Sequence, residues 1–163
     1  MFRLLLASLA LLAYMPAVVS AETVEMTRHR DWQVVEDRAG RCLAVTTVGL
    51  RAADSGLITV ALLPGDGTAA ATMSARVPLG AALDAPLAYS YRTGATATGL
   101  AWQSCDETTC LAVAALDGAE ISRLERAREV FFAFRPLPGV TPLIVPVSLM
   151  GLTRAWADVQ ACR

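Results

Sequence analysis

The sequence has no lysine, no asparagine and a single histidine, His29. Without Asn there is no acceptor for N-glycosylation. With one His, a typical multi-histidine metal site cannot be built. All 14 basic residues are therefore arginines, set against 15 Asp and Glu. So even a balance gives no electrostatic case for nucleic acid. No Gly-x-Ser-x-Gly elbow or nucleotide-binding loop is present, and each would be needed for the chemistry it serves. The apolar stretch near the N-terminus, Leu4 to about Tyr14, falls short of the roughly 20 residues of a spanning helix.

What is present at the N-terminus is an address. Met1-Phe2-Arg3 supplies one positive charge, the apolar stretch follows, and Val19-Ser20-Ala21 closes with small residues. This is the pattern of a cleaved signal peptide over residues 1–21. An uncleaved anchor or a buried N-terminal helix is the alternative. No Cys follows the expected cut, which argues against a lipid-anchored lipoprotein. Cleavage leaves residues 22–163, in which 13 arginines face 15 carboxylates for a balance of −2. That length suits one domain with its own core. The expected location is the periplasm or cell envelope, with no transmembrane span in the mature chain.

Strand-like runs dominate this domain. Trp32–Glu36 and Cys42–Val48 flank the turn residues Asp37-Arg38-Ala39-Gly40 and read as a hairpin. Gly56–Leu63, Ala71 to near Pro78, Leu87–Tyr91, Thr98–Ser104, Leu111–Leu116, Val130–Phe134 and Leu143–Leu149 continue the pattern, most of them bounded by Gly or Pro. Two helices interrupt it. Asp117-Gly118-Ala119-Glu120 has the form of a capping box, followed by Ile121 and Leu124 at helical spacing. Residues 151–160 place Leu152, Ala155, Trp156 and Val159 on one face. Short strands at regular spacing predict a mainly β, sandwich-like single domain with one or two short helices.

Few residues point to chemistry. His29 lies between Arg28 and Arg30 ahead of the first expected strand, and reads as a solvated surface residue. The adjacent acids Glu36-Asp37 and Asp106-Glu107 point apart on a strand or meet water on a turn, so neither makes an acid–base pair by itself. Pro64-Gly65-Asp66-Gly67 reads as a turn, since the further acids of a calcium loop are missing. Arg123, Arg126 and Arg128 alternate with Glu120, Glu125 and Glu129. They read either as a solvated mixed-charge face with i,i+3 ion pairs, or as a docking face for an acidic partner or anionic lipid. Trp32, Trp102 and Trp156 are expected in the core. Exposure of one beside Phe131 or Phe132 would mark a binding patch instead. Four cysteines, Cys42, Cys105, Cys110 and Cys162, form an even set in an exported chain, which favours disulfides. Zinc would need a second short pair, and a thioredoxin-like motif two intervening residues rather than four.

The ordered set Asp31-Trp32-Gln33-Val34, Val77-Pro78-Leu79-Gly80, Trp102-Gln103-Ser104-Cys105 and Cys110-Leu111-Ala112 resembles a known family. The helix from Asp117, the strand ending Val147-Ser148-Leu149 and the Gly151-Leu152 helix extend the likeness. Over about residues 30 to 160 the chain resembles the invasion-associated locus B family of exported bacterial proteins. The resemblance implies a single exported β-rich domain in an alphaproteobacterial-type envelope. It also implies a link, in pathogenic members, to entry into host cells. It brings no catalytic residues. The family places a Cys shortly after the Trp and its partner on the returning strand. Here Glu36 occupies the first position, Cys42 keeps the second, and Cys162 is additional. The even count therefore predicts a Cys42–Cys162 bridge. Cys105 and Cys110, separated by Asp106-Glu107-Thr108-Thr109, are expected to pair across a hairpin turn.

The function expected is that of a non-enzymatic envelope accessory that recognises a protein or envelope partner through its surface. No cofactor is implied. Two rivals remain at this stage. One is a periplasmic hydrolase using carboxylates from separate strands. The other is a carrier of a small apolar ligand between the sheets.

Overall fold

Along Ala71–Pro78, residues 71, 73, 75 and 77 are buried while their neighbours face outward. Period-two alternation of this kind builds a half-buried sheet, and it recurs through the chain. A computed structural model describes residues 27–37, 39–49 and 56–162. The segment read as a signal peptide lies outside them. The strands are β1 (Thr27–His29), β2 (Trp32–Glu36), β3 (Cys42–Gly49), β4 (Gly56–Pro64), β5 (Ala71–Pro78), β6 (Leu87–Ser90), β7 (Thr98–Cys105), β8 (Thr109–Leu116), β9 (Glu129–Phe134) and β10 (Leu143–Ser148). The helices are α1 (Gly118–Arg126) and α2 (Leu152–Ala161).

All ten strands pair antiparallel in one series, β1-β2-β3-β4-β5-β8-β7-β6-β9-β10. The expectation of a mainly β domain holds. The two-layer sandwich does not describe this arrangement, because the strands follow one hydrogen-bonded order. The sheet curls on itself instead. Its far ends meet at the β1–β2 turn: the Asp31 amide donates to the Met150 carbonyl at 3.2 Å, and the Trp32 indole donates to the Ser148 carbonyl at 2.9 Å. The Ser148 hydroxyl also donates to the Asp31 carboxylate.

The concave side is filled by Trp32, Ile58, Leu62, Met73, Leu87, Tyr89, Leu100 and Phe132, all essentially inaccessible to water. Helix α2 lies against β1–β4 and buries Leu152, Ala155, Trp156 and Val159, the face that its spacing predicts. Helix α1 buries Ile121 and Leu124. Each fully buried Leu or Val contributes on the order of 1.5–3 kcal/mol, which is where stability in such a domain arises. A carried apolar ligand would have to displace these side chains.

Gly151 stands at the start of α2 with φ +102°. A side chain there would run into the carbonyl of His29, so only glycine lets the β1–β2 turn press against the helix. The two-residue turn between the paired His29 and Trp32 puts Arg30 at φ +55°. That region normally favours glycine.

Candidate functional site

The basic face expected on α1 begins with how the helix is anchored. Asp117 accepts the Glu120 amide at 2.7 Å, as an N-cap should. The reciprocal half of the capping box is not made. The Glu120 carboxylate turns instead toward β6 and the turn beyond it, where one oxygen accepts the Tyr89 hydroxyl at 2.6 Å and the Tyr91 hydroxyl at 2.7 Å. Tyr89 in β6 and Tyr91 just beyond it are two residues apart, which lets both hydroxyls reach the same oxygen. Burial, and then the Glu120 acceptor, push both phenols well above their ordinary pKa. Tyr89 packs edge-on to Tyr91 and tilted against Phe132. The Arg123 guanidinium lies 4.1 Å from the centre of the Tyr91 ring, within cation–π range.

Arg126 and Arg128 project to solvent. The i,i+3 ion pairs expected between these arginines and Glu120, Glu125 or Glu129 are not formed among the described residues. The ion pairs that are formed join His29 to Asp158, Arg41 to Asp37, Arg76 to Asp106 and Arg135 to Asp84. Glu120 is already committed to the two tyrosines, which explains its absence from the face. Arg126 lies in the last helical turn, where a cation complements the exposed carbonyls. The Arg128 carbonyl accepts the Leu149 amide at 2.8 Å, tying the end of α1 to the segment that follows β10. The face therefore consists of one arginine fixed on an aromatic ring and two without carboxylate partners among the described residues.

Two disulfides brace the frame. Cys42 at the start of β3 joins Cys162 at the end of α2, with Cα atoms 6.1 Å apart. Cys105 joins Cys110 across the β7–β8 hairpin, Cα to Cα 4.0 Å. The hairpin turn is held by Asp106, one oxygen of which accepts the Thr108 and Thr109 amides at 2.8 and 2.7 Å. These bonds hold its carboxyl at a pKa of about 2. No cysteine among the described residues is free. A cleft of about 440 Å³ adjoins the Cys42–Cys162 bridge, lined in part by Leu63, Pro64 and Val159.

Other sequence expectations are redistributed. His29 is not a free surface residue: it belongs to β1 and its Nε2 sits 2.6 Å from Asp158. Trp32 and Trp156 are core, but Trp102 is only half-buried, its indole donating to the Ala85 carbonyl at 2.8 Å. A register shift at Gln103 interrupts the alternation beside it. Phe132 is buried and Phe131 half-buried. Asp37 caps its own turn, accepting the Arg41 amide, the Arg41 guanidinium and the Ala39 amide, which keep its pKa below the ordinary value. Sequence reasoning missed the Tyr89–Glu120–Tyr91 cluster. Its signal was the pair of tyrosines at a two-residue interval, with Glu120 placed one helical turn after a cap.

The family model described as "Invasion associated locus B (IalB) protein" matches residues 32–160. Among solved structures, the invasion associated protein b of Bartonella henselae superposes with a TM-score of 0.73. It is 15% identical, and the match covers 84% of this chain and 96% of that one. At that identity the likeness establishes a common fold. No curated protein matches the sequence.

Proposed function

Because the chain belongs to the invasion associated locus B family, we propose that it is an exported envelope protein that recognises a protein or envelope partner through its surface, without catalysis. The observation that carries this reading is the pair of exposed arginines Arg126 and Arg128, without ion-pair partners among the described residues and held on a braced frame. In a chain with slightly more acids than bases, arginines free of ion pairs among the described residues give direction to an encounter even with Glu125 and Glu129 beside them. They speed approach of an acidic surface and fix orientation more than they add affinity. Rigidity helps as well, since a preformed surface loses little freedom on binding. The Tyr89–Glu120–Tyr91 cluster and the disulfides supply it. Export is supported by the N-terminal signal pattern and by the family. Among the described residues no helix is long and apolar enough to cross a membrane.

The hydrolase reading asks for a carboxyl poised as an acid, with its pKa raised toward neutrality. Asp37 and Asp106 move the other way, and both serve turns. The test is crosslinking in living cells, then recovery of the tagged protein from the envelope and mass spectrometry. A partner recovered near stoichiometry with the natural chain and lost with Arg126→Glu/Arg128→Glu supports the proposal. A partner retained by that variant, or the tagged protein recovered alone, overturns it.

A further inference from the structure

A second set of arginines converges away from the α1 face. Arg28 and Arg30 from the β1–β2 hairpin and Arg154 from the first turn of α2 line one cavity of about 350 Å³, together with His29, Gly151 and Thr153. None of the three arginines has a carboxylate partner among the described residues. Among the described residues, the carboxylates closest in sequence are engaged elsewhere. Asp31 accepts the Ser148 hydroxyl, and Asp158 pairs with His29; neither lines the cavity. The Arg28 Nε donates to the Arg30 carbonyl at 3.1 Å. This orients the guanidinium and leaves its terminal nitrogens without a protein acceptor among the described residues.

The backbone is shaped around this gathering. Arg30 occupies a positive-φ position where glycine would be less strained. Gly151 removes the side chain that would hold the hairpin off the helix. Three like charges around one cavity repel one another, and none of the three forms an ion pair among the described residues. An arrangement that sacrifices stability in the empty protein is expected where a ligand supplies the missing charge.

We propose that this cavity binds a phosphate group. A monovalent carboxylate would leave two of the three guanidinium charges unmatched. A phosphate near its divalent form offsets more of them, and its oxygens match the forked donors of arginine. The volume leaves room for the organic part that carries the phosphate. Two sources share this chemistry, a small soluble phosphate and the phosphomonoester headgroup of a lipid such as phosphatidic acid. The site goes beyond the partner face on α1 and stands or falls without it.

The experiment uses the chain from Glu22, free of phosphate, at low salt. Calorimetric titration with inorganic phosphate is expected to show saturable binding, and phosphate is expected to raise the melting temperature. Arg154→Gln should weaken binding about tenfold, the loss of one charge-assisted contact. Arg30→Gly is the decisive variant. It removes a guanidinium while relieving the backbone, so binding should fall about tenfold with no drop in melting temperature in the absence of phosphate. Arg92→Gln, on the β6–β7 turn, should bind as the natural chain does. Flotation with vesicles containing phosphatidic acid, compared with phosphatidylcholine vesicles, separates the sources. Vesicle binding lost in Arg30→Gly assigns a lipid headgroup. Phosphate binding without vesicle binding assigns a soluble phosphate. Absence of phosphate binding by the natural chain, or binding unchanged in Arg30→Gly and Arg154→Gln, overturns the proposal.

Discussion

Trp32 donates its indole N–H to the carbonyl of Ser148 at 2.9 Å, and so joins the second strand of the sheet to its last. The ring is fully buried, so water cannot replace the bond. Trp32→Phe keeps most of the apolar contact and leaves the carbonyl without this donor. The expected loss is about 1–3 kcal/mol, read as a lower urea midpoint with an unchanged slope. A midpoint equal to that of the natural protein would show that the two sheet ends are held by other contacts.

The disulfides differ in what they constrain. By loop-entropy reasoning, the Cys42–Cys162 bridge, with partners 120 residues apart, stabilises by at most about 5 kcal/mol, and the Cys105–Cys110 bridge by about 2 kcal/mol. The Cys42→Ser/Cys162→Ser variant should therefore unfold at clearly lower denaturant than Cys105→Ser/Cys110→Ser. The reverse order would show that the hairpin bridge constrains more than its own loop.

Tyr89 and Tyr91 are the only tyrosines in a chain beginning at Glu22, so phenolate absorbance reports on them alone. Both should resist ionisation beyond the ordinary value of 10.0. The sign follows from linkage: with folded pKa values raised, this stabilisation is complete below pH 10 and is lost as pH rises toward the folded values. Glu120→Gln should move both titrations downward, yet leave them above 10.0, because burial is the larger cause. Titration at the ordinary value in the intact folded protein would refute the cluster.

Asp106 makes the opposite prediction at the acid end. Its folded pKa of about 2 lies below the ordinary 3.8. The stability it contributes is therefore present above pH 3.8 and disappears as pH falls toward 2. Asp106→Asn should melt below the natural protein at pH 7, and the gap should close on acidification through that window. A gap that persists at pH 2 would point to shape rather than charge.

Much of this was legible one residue at a time. The alternation in Ala71–Pro78 and the helical spacing of Leu152, Ala155, Trp156 and Val159 are local signals, and the elements they predict are formed. Strand order was not legible, because β5 pairs with β8 and β6 with β9 across intervening elements. β1 has three residues and two of them are charged or titratable, too little for a periodic signal. Glu120 was read as a cap for its own helix, but one buried and one half-buried phenol offered it charge-assisted bonds that a solvated amide does not match. The arginine-lined cavity was illegible for a simpler reason. Arg28 and Arg30 precede Arg154 by most of the domain, and long-range contacts, the close approach at Gly151 among them, put them together.

The unequal reach of the two disulfides also sets an order in time. As the chain emerges, Cys42 appears first and would meet Cys105 long before Cys162 exists. Cys110 follows Cys105 by five residues, and a loop that short closes far more readily than one back to Cys42. Loop length alone thus favours early closure of the hairpin bridge. Such closure withdraws the two competing thiols early and leaves Cys42 waiting for the partner that arrives last.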